Sequence, residues 1–590
     1  MSEILHRPYE GPSRRLVASI DIGTTFSAAS FCILKPGIVP KFDEILSWPN
    51  QAVADGKVAS VIYYDESGTP RAHGAETEDE EINLEAEDNG WCKAEWWKLG
   101  LRPEYLPLIK GLQLPELPPN VSIDQIFADF FSFVKLQIML YISRSYADGA
   151  NIWETLEPSM YFILTTPNGW EGAQQDRMRK AAIKGGLVDK NGGRRIKFVT
   201  EAEAALLYAA NTGNVDDWLS EGGNVILCDC GGGTIDITGY SVTRVNPLRL
   251  EESSAAQCYL AGGVHVSNEA KAYFQKKLAD SEWDNEDSIR RITDNFDRNA
   301  KKKFSDPERT SYVQLDGHGS DPSLGIVRGR LKVPGNDMAA FFKPSIDAII
   351  EGLKQAFENG GSLADKIILV GGLASSPYVY SKVSEWGERF GISISSPDGP
   401  TTKAVANGAL AWHLDNNISA RVARYHYGIE VREPYDKQNP EMACRVAVLD
   451  QYDGRQMVYG GWSCIVEKGQ RIENQREFQG SYNVPRGLFS PKQYTVEILV
   501  YRRSKPPSFV TVPSTGLCYP GFETLCSVNV DLQGIWDSTL YWRTSPITGE
   551  RYKMLEFRIH IALGETEVTA RSSWVVKGVT RYGAATVAFD

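Results

Sequence analysis

The sequence predicts an α/β protein with a β-rich C-terminal part, and three observations carry that prediction. Residues 16–31 and 224–242 each run as an apolar strand ending on an aspartate, a turn of small residues and a second apolar strand. Between and after these hairpins, strands alternate with amphipathic helices, the order expected of sheets with helices packed on their faces. Beyond about residue 421 the pattern changes to alternation of apolar and polar residues, as in antiparallel strands with one buried face.

The 590 residues exceed what one hydrophobic core supports, so several domains are expected. Apolar residues at 42% and charged residues at 23% are ordinary globular values and exclude wholesale disorder. A net charge of −12 without a long basic run predicts neither nucleic acid nor an anionic membrane as partner. The N-terminus lacks an apolar core of signal-peptide length, and the apolar helix at 126–142 is interrupted by Asp129 and Lys135. No membrane insertion is expected, and the cytoplasm, with the nucleus as an alternative, is the expected location. Nine cysteines without metal-type pairing predict buried free thiols, and none of the seven histidines has metal-ligand spacing.

In the first hairpin the strand stops at Asp21 and turns through Gly23, Thr24 and Thr25 to Phe26. In the second, Val225-Ile226-Leu227 leads to Asp229, and Gly231-Gly232-Gly233 turn the chain to Thr234 and Asp236. Turns without Cβ atoms let backbone N–H groups converge on an anion, with threonine hydroxyls as further donors. An aspartate repels phosphate, so Asp21 and Asp229 suit a hydrated Mg²⁺ lying between carboxylate and phosphate. One such hairpin alone reads better as an ordinary tight turn. Two of them could hold the two ends of a polyphosphate across a cleft.

The rest of the chain supplies the scaffold. Residues 58–64 read as a strand, the acidic run 76–81 as a solvated loop, and Lys98, beside two tryptophans, as a surface lysine with its stem on the rings. Residues 118–146 have the spacing of a long buried helix; strand 161–164, a turn at Pro167-Asn168-Gly169 and helix 171–184 follow. Strand 196–199 runs into a helix at Glu201, where Glu201 and Glu203 read equally well as dipole-stabilised first-turn acids. Leu260-Ala261-Gly262-Gly263 is a further glycine turn, and 267–305 is helical and highly charged. Of Lys301, Lys302 and Lys303 at most one or two could reach a nucleotide. A helix at 337–359, strand 366–370, Gly371-Gly372 and a helix at 378–390 form a close-approach site. Near the C-terminus, Phe557, Ile559, Ile561 and Leu563 alternate with Glu556, Arg558, His560 and Ala562; a turn at Gly564-Glu565 and a second run at 567–576 follow.

The order Asp21-x-Gly-Thr-Thr, Pro167, Glu201, Asp229-x-Gly-Gly-Gly-Thr-x-Asp236, Gly262-Gly263, Gly371-Gly372 and Ala404-Val-Ala-Asn-Gly-Ala409 resembles the nucleotide motifs of the heat-shock 70 kDa chaperones. The resemblance covers residues 15–415 and points to the divergent 12A/12B-like branch, which residues 555–568 also resemble. It implies a duplicated actin-like, ribonuclease H-like ATPase of two lobes around a nucleotide cleft. The implied layout is an arm at 1–14, lobe I at 15–215 with an insert near 50–114, and lobe II at 216–420 with an insert near 264–335. The last helix, 402–418, would pack back on lobe I, and 421–590 would form a β-rich domain.

By the same resemblance Asp21 and Asp229 hold the water shell of Mg²⁺, and ATP or ADP is bound by Gly23, Thr24, Thr25, Phe26, Gly231, Gly232, Gly233, Thr234, Gly262 and Gly263, with Lys301, Lys302, Gly371, Gly372 and Ser375 at the adenosine. Lys98, Glu201, Asp229 and Asp236 correspond to the catalytic groups, and client proteins and co-chaperones are the implied partners. The chain departs from the family pattern at Ser375, where an arginine stacks on adenine, at Val264, which replaces an acid, and at Ala202-Glu203, which replaces Pro-Thr. The expectation is a chaperone-like, Mg-dependent ATPase. A nucleotide-binding interaction module with little hydrolysis is the alternative, and a small-molecule kinase a lesser one.

Overall fold

The computed structural model describes residues 7–109, 111–211, 219–245, 248–315, 317–360, 364, 366–396, 404–415, 418–473, 476–563, 568–576 and 578–583. The chain divides into two compact units, Met1–Ile418 and Ser419–Asp590.

The first unit is mixed α/β, built on two sheets. One has the order Phe42–Glu44, Phe26–Leu34, Arg15–Asp21, Tyr161–Thr166, Ile196–Thr200, with Lys57–Ala59 beside Phe26–Leu34. Arg15–Asp21 pairs antiparallel with Phe26–Leu34, placing Asp21 opposite Ala28, and parallel with Tyr161–Thr166, placing Ile20 opposite Leu164. Side chains alternate across this sheet. Leu16, Ala18 and Ile20 face the helix Ile123–Ser145, whereas Val17, Cys32 and Ile163 join a second core with helices Glu201–Asn211 and Ala404–Asp415.

Helix Ile123–Ser145 is long and apolar enough to cross a bilayer, yet it is a core helix here. Phe127, Phe130 and Phe131 are fully buried on its inner face, each contributing roughly 1.5–3 kcal/mol. Ser122 caps its start by accepting from the Gln125 N–H at 3.2 Å.

The other sheet has the order Ser393–Ser395, Lys366–Val370, Asn224–Cys230, Ile235–Arg244, Arg249–Glu252, with Gln257–Tyr259 also paired to Ile235–Arg244. Ile226, Cys228, Cys230, Ile235 and Ile237 face helices Gly263–Leu278, Gly335–Gly360 and Pro377–Glu388. The opposite face, with Val225, Leu227 and Ile368, enters the same core as Val17 and Ile163 of the first sheet. One layer, made by helices Glu201–Asn211 and Ala404–Asp415, therefore serves both sheets.

Three local expectations change. The acidic run 76–81 is not a loop but the end of a 3-10 turn, Gly74–Glu78, and the start of helix Glu80–Asp88. Asp79 caps that helix by accepting from Glu81 N, and Glu80 and Glu81 sit at its positive end, where acids are favourable. Gly263 does not stay in a turn but opens helix Gly263–Leu278. The charged segment 267–305 is broken after Leu278 and resumes as Glu286–Asn295, a π turn at Phe296–Ala300 and Lys301–Lys303.

The second unit contains two antiparallel sheets. One runs Val448–Leu449, Gln456–Val466, His426–Pro434, Gln493–Tyr501, Phe522–Asp531; the other runs Glu477–Gly487, Arg551–Leu563, Val568–Val576, Val579–Tyr582, with Arg543–Thr544 also paired to Arg551–Leu563. Ile498, Val528 and Val530 from the first meet Leu555, Phe557, Ile559 and Ile561 from the second in one core. His560, on the polar side of the alternation, is nonetheless buried, with Nε2 2.6 Å from Ser573 Oγ. The turn expected at Gly564-Glu565 lies outside the described residues. All nine cysteines are free; Cys32, Cys228, Cys230 and Cys526 are buried, but Cys444, Cys464 and Cys518 are exposed, so burial of the thiols was expected too broadly.

Candidate functional site

Three glycine turns converge because no side chain fits between them. A Cβ on Gly232 would lie 2.6 Å from Thr25 Oγ1, and one on Gly233 would strike Thr24 Oγ1. The two hairpin turns are thus in contact. The carbonyls of Gly231, Gly232 and Gly233 accept from the N–H groups of Gly263 (3.0 Å), Val264 (2.8 Å) and Gly262 (3.1 Å) at the head of helix Gly263–Leu278. That leaves the turn's own amides: among the described residues the N–H groups of Gly232 and Gly233 have no main-chain acceptor. Gly371 has φ +95° at the end of Lys366–Val370, and a Cβ there would strike the Asp229 carboxylate and the Cys230 carbonyl.

Beneath the turns lies a buried charge cluster. Asp21, Glu201, Asp229 and Asp236 are 8%, 9%, 6% and 1% exposed, and Lys98 is 3% exposed. Strand ends deliver the aspartates, the first turn of Glu201–Asn211 delivers Glu201, and the 3-10 helix Trp97–Leu101 delivers Lys98. That helix starts from Trp96 in the left-handed region, at φ +51°. Lys98 Nζ donates to Glu201 Oε1 at 2.6 Å and lies 5.5 Å from the Trp170 ring centre. Lys98 is therefore no surface lysine. Asp21 accepts from the Thr165 hydroxyl at 2.7 Å, and Asp236 accepts from the Asn168 N–H at 2.7 Å and from the side chains of Thr234 and Cys258.

Burial opposes the Lys98 charge, but Glu201, Asp21 and Asp236 outweigh it and hold the ammonium protonated. The carboxylates go the other way. Burial, then repulsion from Asp236 and Asp21, pushes Asp229 up to about 7. Burial pushes Glu201 up to about 8, with Asp21 and Asp236 adding to it and Lys98 opposing. Asp236 is also raised, chiefly by burial. Four acids thus share one buried ammonium, and Lys57 adds only a field at Asp229. Such a cluster takes up protons or a cation. Among the described residues no three acids, histidines or cysteines are placed to ligate a metal directly. The donor set therefore fits a cation held through its waters, with Asp21 and Asp229 as the acceptors of those waters.

The remaining candidates form the rim or lie apart. Thr24 and Gly233 are buried; Gly23, Thr25, Gly231 and Gly232 are half-buried; Phe26, Gly372 and Ser375 are exposed. The Ser375 hydroxyl donates to the Gly372 carbonyl at 2.7 Å and closes that turn. Lys301 spends its ammonium on Gly263 O (2.7 Å), Ser267 Oγ (2.8 Å) and Asp297 Oδ1 (2.9 Å). Lys302 is exposed and, among the described residues, makes no hydrogen bond or ion pair with another candidate. Sequence reasoning overlooked Thr165, Asn168, Trp170 and Cys258. Of these only Asn168 carried a signal, in its Pro-Asn-Gly turn.

Comparison with known proteins agrees with the motif order. Residues 421–571 match a family described as a domain of unknown function (DUF8568). The chain is 23% identical to human heat shock 70 kDa protein 12A over 484 residues, 68% of this chain and 68% of that protein. Against mouse heat shock 70 kDa protein 12A it is 24% identical over 442 residues, 60% of this chain and 63% of that protein. With a heat shock 70 kDa protein of Penicillium citrinum it shares 26% identity over 258 residues, 42% of this chain and 46% of that protein. The chain thus spans between under half and about two thirds of the relatives it matches. It is similar to the heat-shock 70 kDa proteins, heat shock 70 kDa protein 12A among them, and its mixed α/β first unit agrees with the actin-like ATPase fold which that likeness implies.

Proposed function

We propose that the first unit binds Mg-ATP between its two glycine hairpins and hydrolyses it, and that nucleotide state sets the closure of two lobes and the binding of partner proteins. The observation that carries this reading is the buried cluster of four carboxylates around one lysine, roofed by glycine turns that touch. Lobe I would comprise 15–215 and lobe II 216–420, with 421–590 as the domain whose affinity for client proteins or co-chaperones responds.

In this reading the amides of Gly232 and Gly233, with the hydroxyls of Thr24, Thr25 and Thr234, take the phosphate oxygens. Magnesium, when bound, neutralises charge on the phosphates from the side of Asp21 and Asp229. Lys98 fixes Glu201 through Oε1 and leaves Oε2 to accept a proton from the attacking water. Asp236, locked by Asn168 and Thr234, holds the water from the other side. Orientation and charge neutralisation supply the rate, since phosphoryl transfer asks little covalent chemistry of the protein.

A second reading, a nucleotide-bound interaction module that turns over little, is favoured by the tied Lys301 and by Ser375 in the turn after Gly371. Titration calorimetry with Mg-ATP tests the common part: absence of binding at millimolar nucleotide refutes both. Phosphate release that disappears in Asp229→Ala and Glu201→Ala selects the ATPase; binding without such release selects the module.

A further inference from the structure

The second unit carries a cationic and aromatic face that the nucleotide site does not use. Segments 486–493 and 540–553 contain Arg486, Lys492, Arg543, Arg551 and Lys553 against one acid, Glu550, in a chain whose net charge is −12. Arg486 and Lys553 stand directly opposite each other across the pair Glu477–Gly487 and Arg551–Leu563, an arrangement of like charges that is unfavourable by itself. Among the described residues Arg486, Lys492 and Lys553 have no carboxylate within ion-pair distance, and Asp537 reaches Lys492 only as a field. The cations rest on rings and main-chain carbonyls: Lys492 Nζ is 3.6 Å from the Trp536 ring centre, Lys553 Nζ is 4.8 Å from Trp536 and 5.1 Å from Trp542 and donates to the Trp536 carbonyl at 2.9 Å, and Arg551 is 4.7 Å from Trp542. The buried Nε of Arg486 has no hydrogen-bond partner. Burial, then Arg486 and Lys553, lowers the pKa of Lys492, with Asp537 opposing them.

Apolar loop tips stand beside these cations. Leu488 and Phe489 are 59% and 95% exposed; Leu540 and Tyr541 are 79% and 85% exposed. The loops are neighbours, because Lys492 Nζ donates to Gly487 O at 3.1 Å while lying on Trp536, which is 5.4 Å from Trp542. At these exposures the tips project into solvent, which suits a planar partner. Aromatic and aliphatic tips over a layer of lysine and arginine match the depth profile of a bilayer interface, apolar inside and anionic at the headgroups.

We propose that this face docks the second unit on anionic phospholipid, with Phe489 and Tyr541 entering the headgroup region, the exposed Arg543 and Arg551 meeting the phosphates, and the half-buried Arg486 and Lys492 and the buried Lys553 adding positive field behind them. Chain-wide charge argued against such a partner, but salt screens charges beyond about 8 Å, so the local face decides. The full-length protein is sedimented at 150 mM salt (about physiological ionic strength) with vesicles of phosphatidylcholine alone and with vesicles in which part of it is replaced by phosphatidylserine. Expected is binding to the serine-containing vesicles only, weakened about fivefold by each of Arg543→Gln and Arg551→Gln and lost in Phe489→Ser/Tyr541→Ser. These substitutions are at exposed positions, and an unchanged circular dichroism spectrum shows that each variant is folded. Equal binding to both vesicles, no binding to either, or full binding by the folded Phe489→Ser/Tyr541→Ser variant overturns the proposal. Retention of an acidic synthetic peptide without vesicle binding also overturns it, in favour of a polypeptide partner.

Discussion

Asp229→Asn is expected to make the nucleotide-free protein more stable while removing turnover. In the unfolded chain Asp229 ionises near 3.8, whereas in the folded chain burial and its acidic neighbours move this to about 7. Between those two values the folded protein keeps a proton that the unfolded chain has released, so stability falls as pH rises through the window and stays low above it. Three pH units correspond to about 4 kcal/mol at pH 8. At pH 5 only the first third of the window has been crossed, and the same sum gives about 1.6 kcal/mol. Asparagine keeps the shape and removes the charge, so the gain should be about 2–4 kcal/mol at pH 8 and less than half of that at pH 5. The assay is the urea midpoint of the first unfolding transition without nucleotide, at both pH values, beside phosphate release with Mg-ATP. An asparagine variant no more stable than the parent at pH 8, or one whose gain is larger at pH 5, would refute the charge argument.

Lys98→Met leaves Glu201 buried without its partner and should destabilise by about 3–5 kcal/mol. Removing Lys98 raises Glu201 beyond its parent value of about 8, so above that pH the parent has released this proton while the variant holds it; the loss should therefore be greater at pH 9 than at pH 6, and adding Glu201→Gln should restore much of it, which urea midpoints at both pH values measure. Gly371→Ala forces a side chain into a left-handed position against Asp229 and should cost about 1–3 kcal/mol together with most of the Mg-ATP affinity, read by thermal shift and calorimetry. Asn168→Ala removes the Nδ2 bonds to Thr238 Oγ1 (2.9 Å) and Gln257 O (3.2 Å) but keeps the main-chain donor to Asp236. It should therefore lower stability by about 1–2 kcal/mol and slow turnover less than Asp229→Ala does, a comparison made on the same release assay.

Much of the site was legible because its parts are local. A strand, an aspartate and a glycine turn lie within a dozen residues, and both hairpins could be found by eye. Lys98 was legible only through family likeness. Its neighbours in sequence are tryptophans, and what turns it inward is the left-handed residue Trp96 and an acid over a hundred positions away. Thr165 was not legible, and Asn168 only as part of a turn, for a related reason: one hydroxyl and one main-chain N–H act where strands from distant parts of the chain end side by side. The acidic run at 76–81 was misread because composition suggested solvent, while the cap at Asp79 made its charges favourable at a helix start. The second unit was legible as alternation, but alternation assigns only a face and not its exposure: His560 lies on the polar face as expected, yet Glu477, Ser573 and Tyr582 cover it.

Gly408 lies in helix Ala404–Asp415 where a Cβ would run into the Ala204 carbonyl of helix Glu201–Asn211. The main chains of the two rods bear directly on each other, with no flexible padding between them. Ser19 Oγ fastens one rod to the first sheet by donating to the Ala406 carbonyl at 2.7 Å, and the other rod begins at Glu201. Such a bearing permits rolling but resists compression, so a small change in tilt at Gly408 displaces the far end of each rod in proportion to its length. Glu201, one turn from that fulcrum, would scarcely shift, whereas residues at the opposite ends would swing.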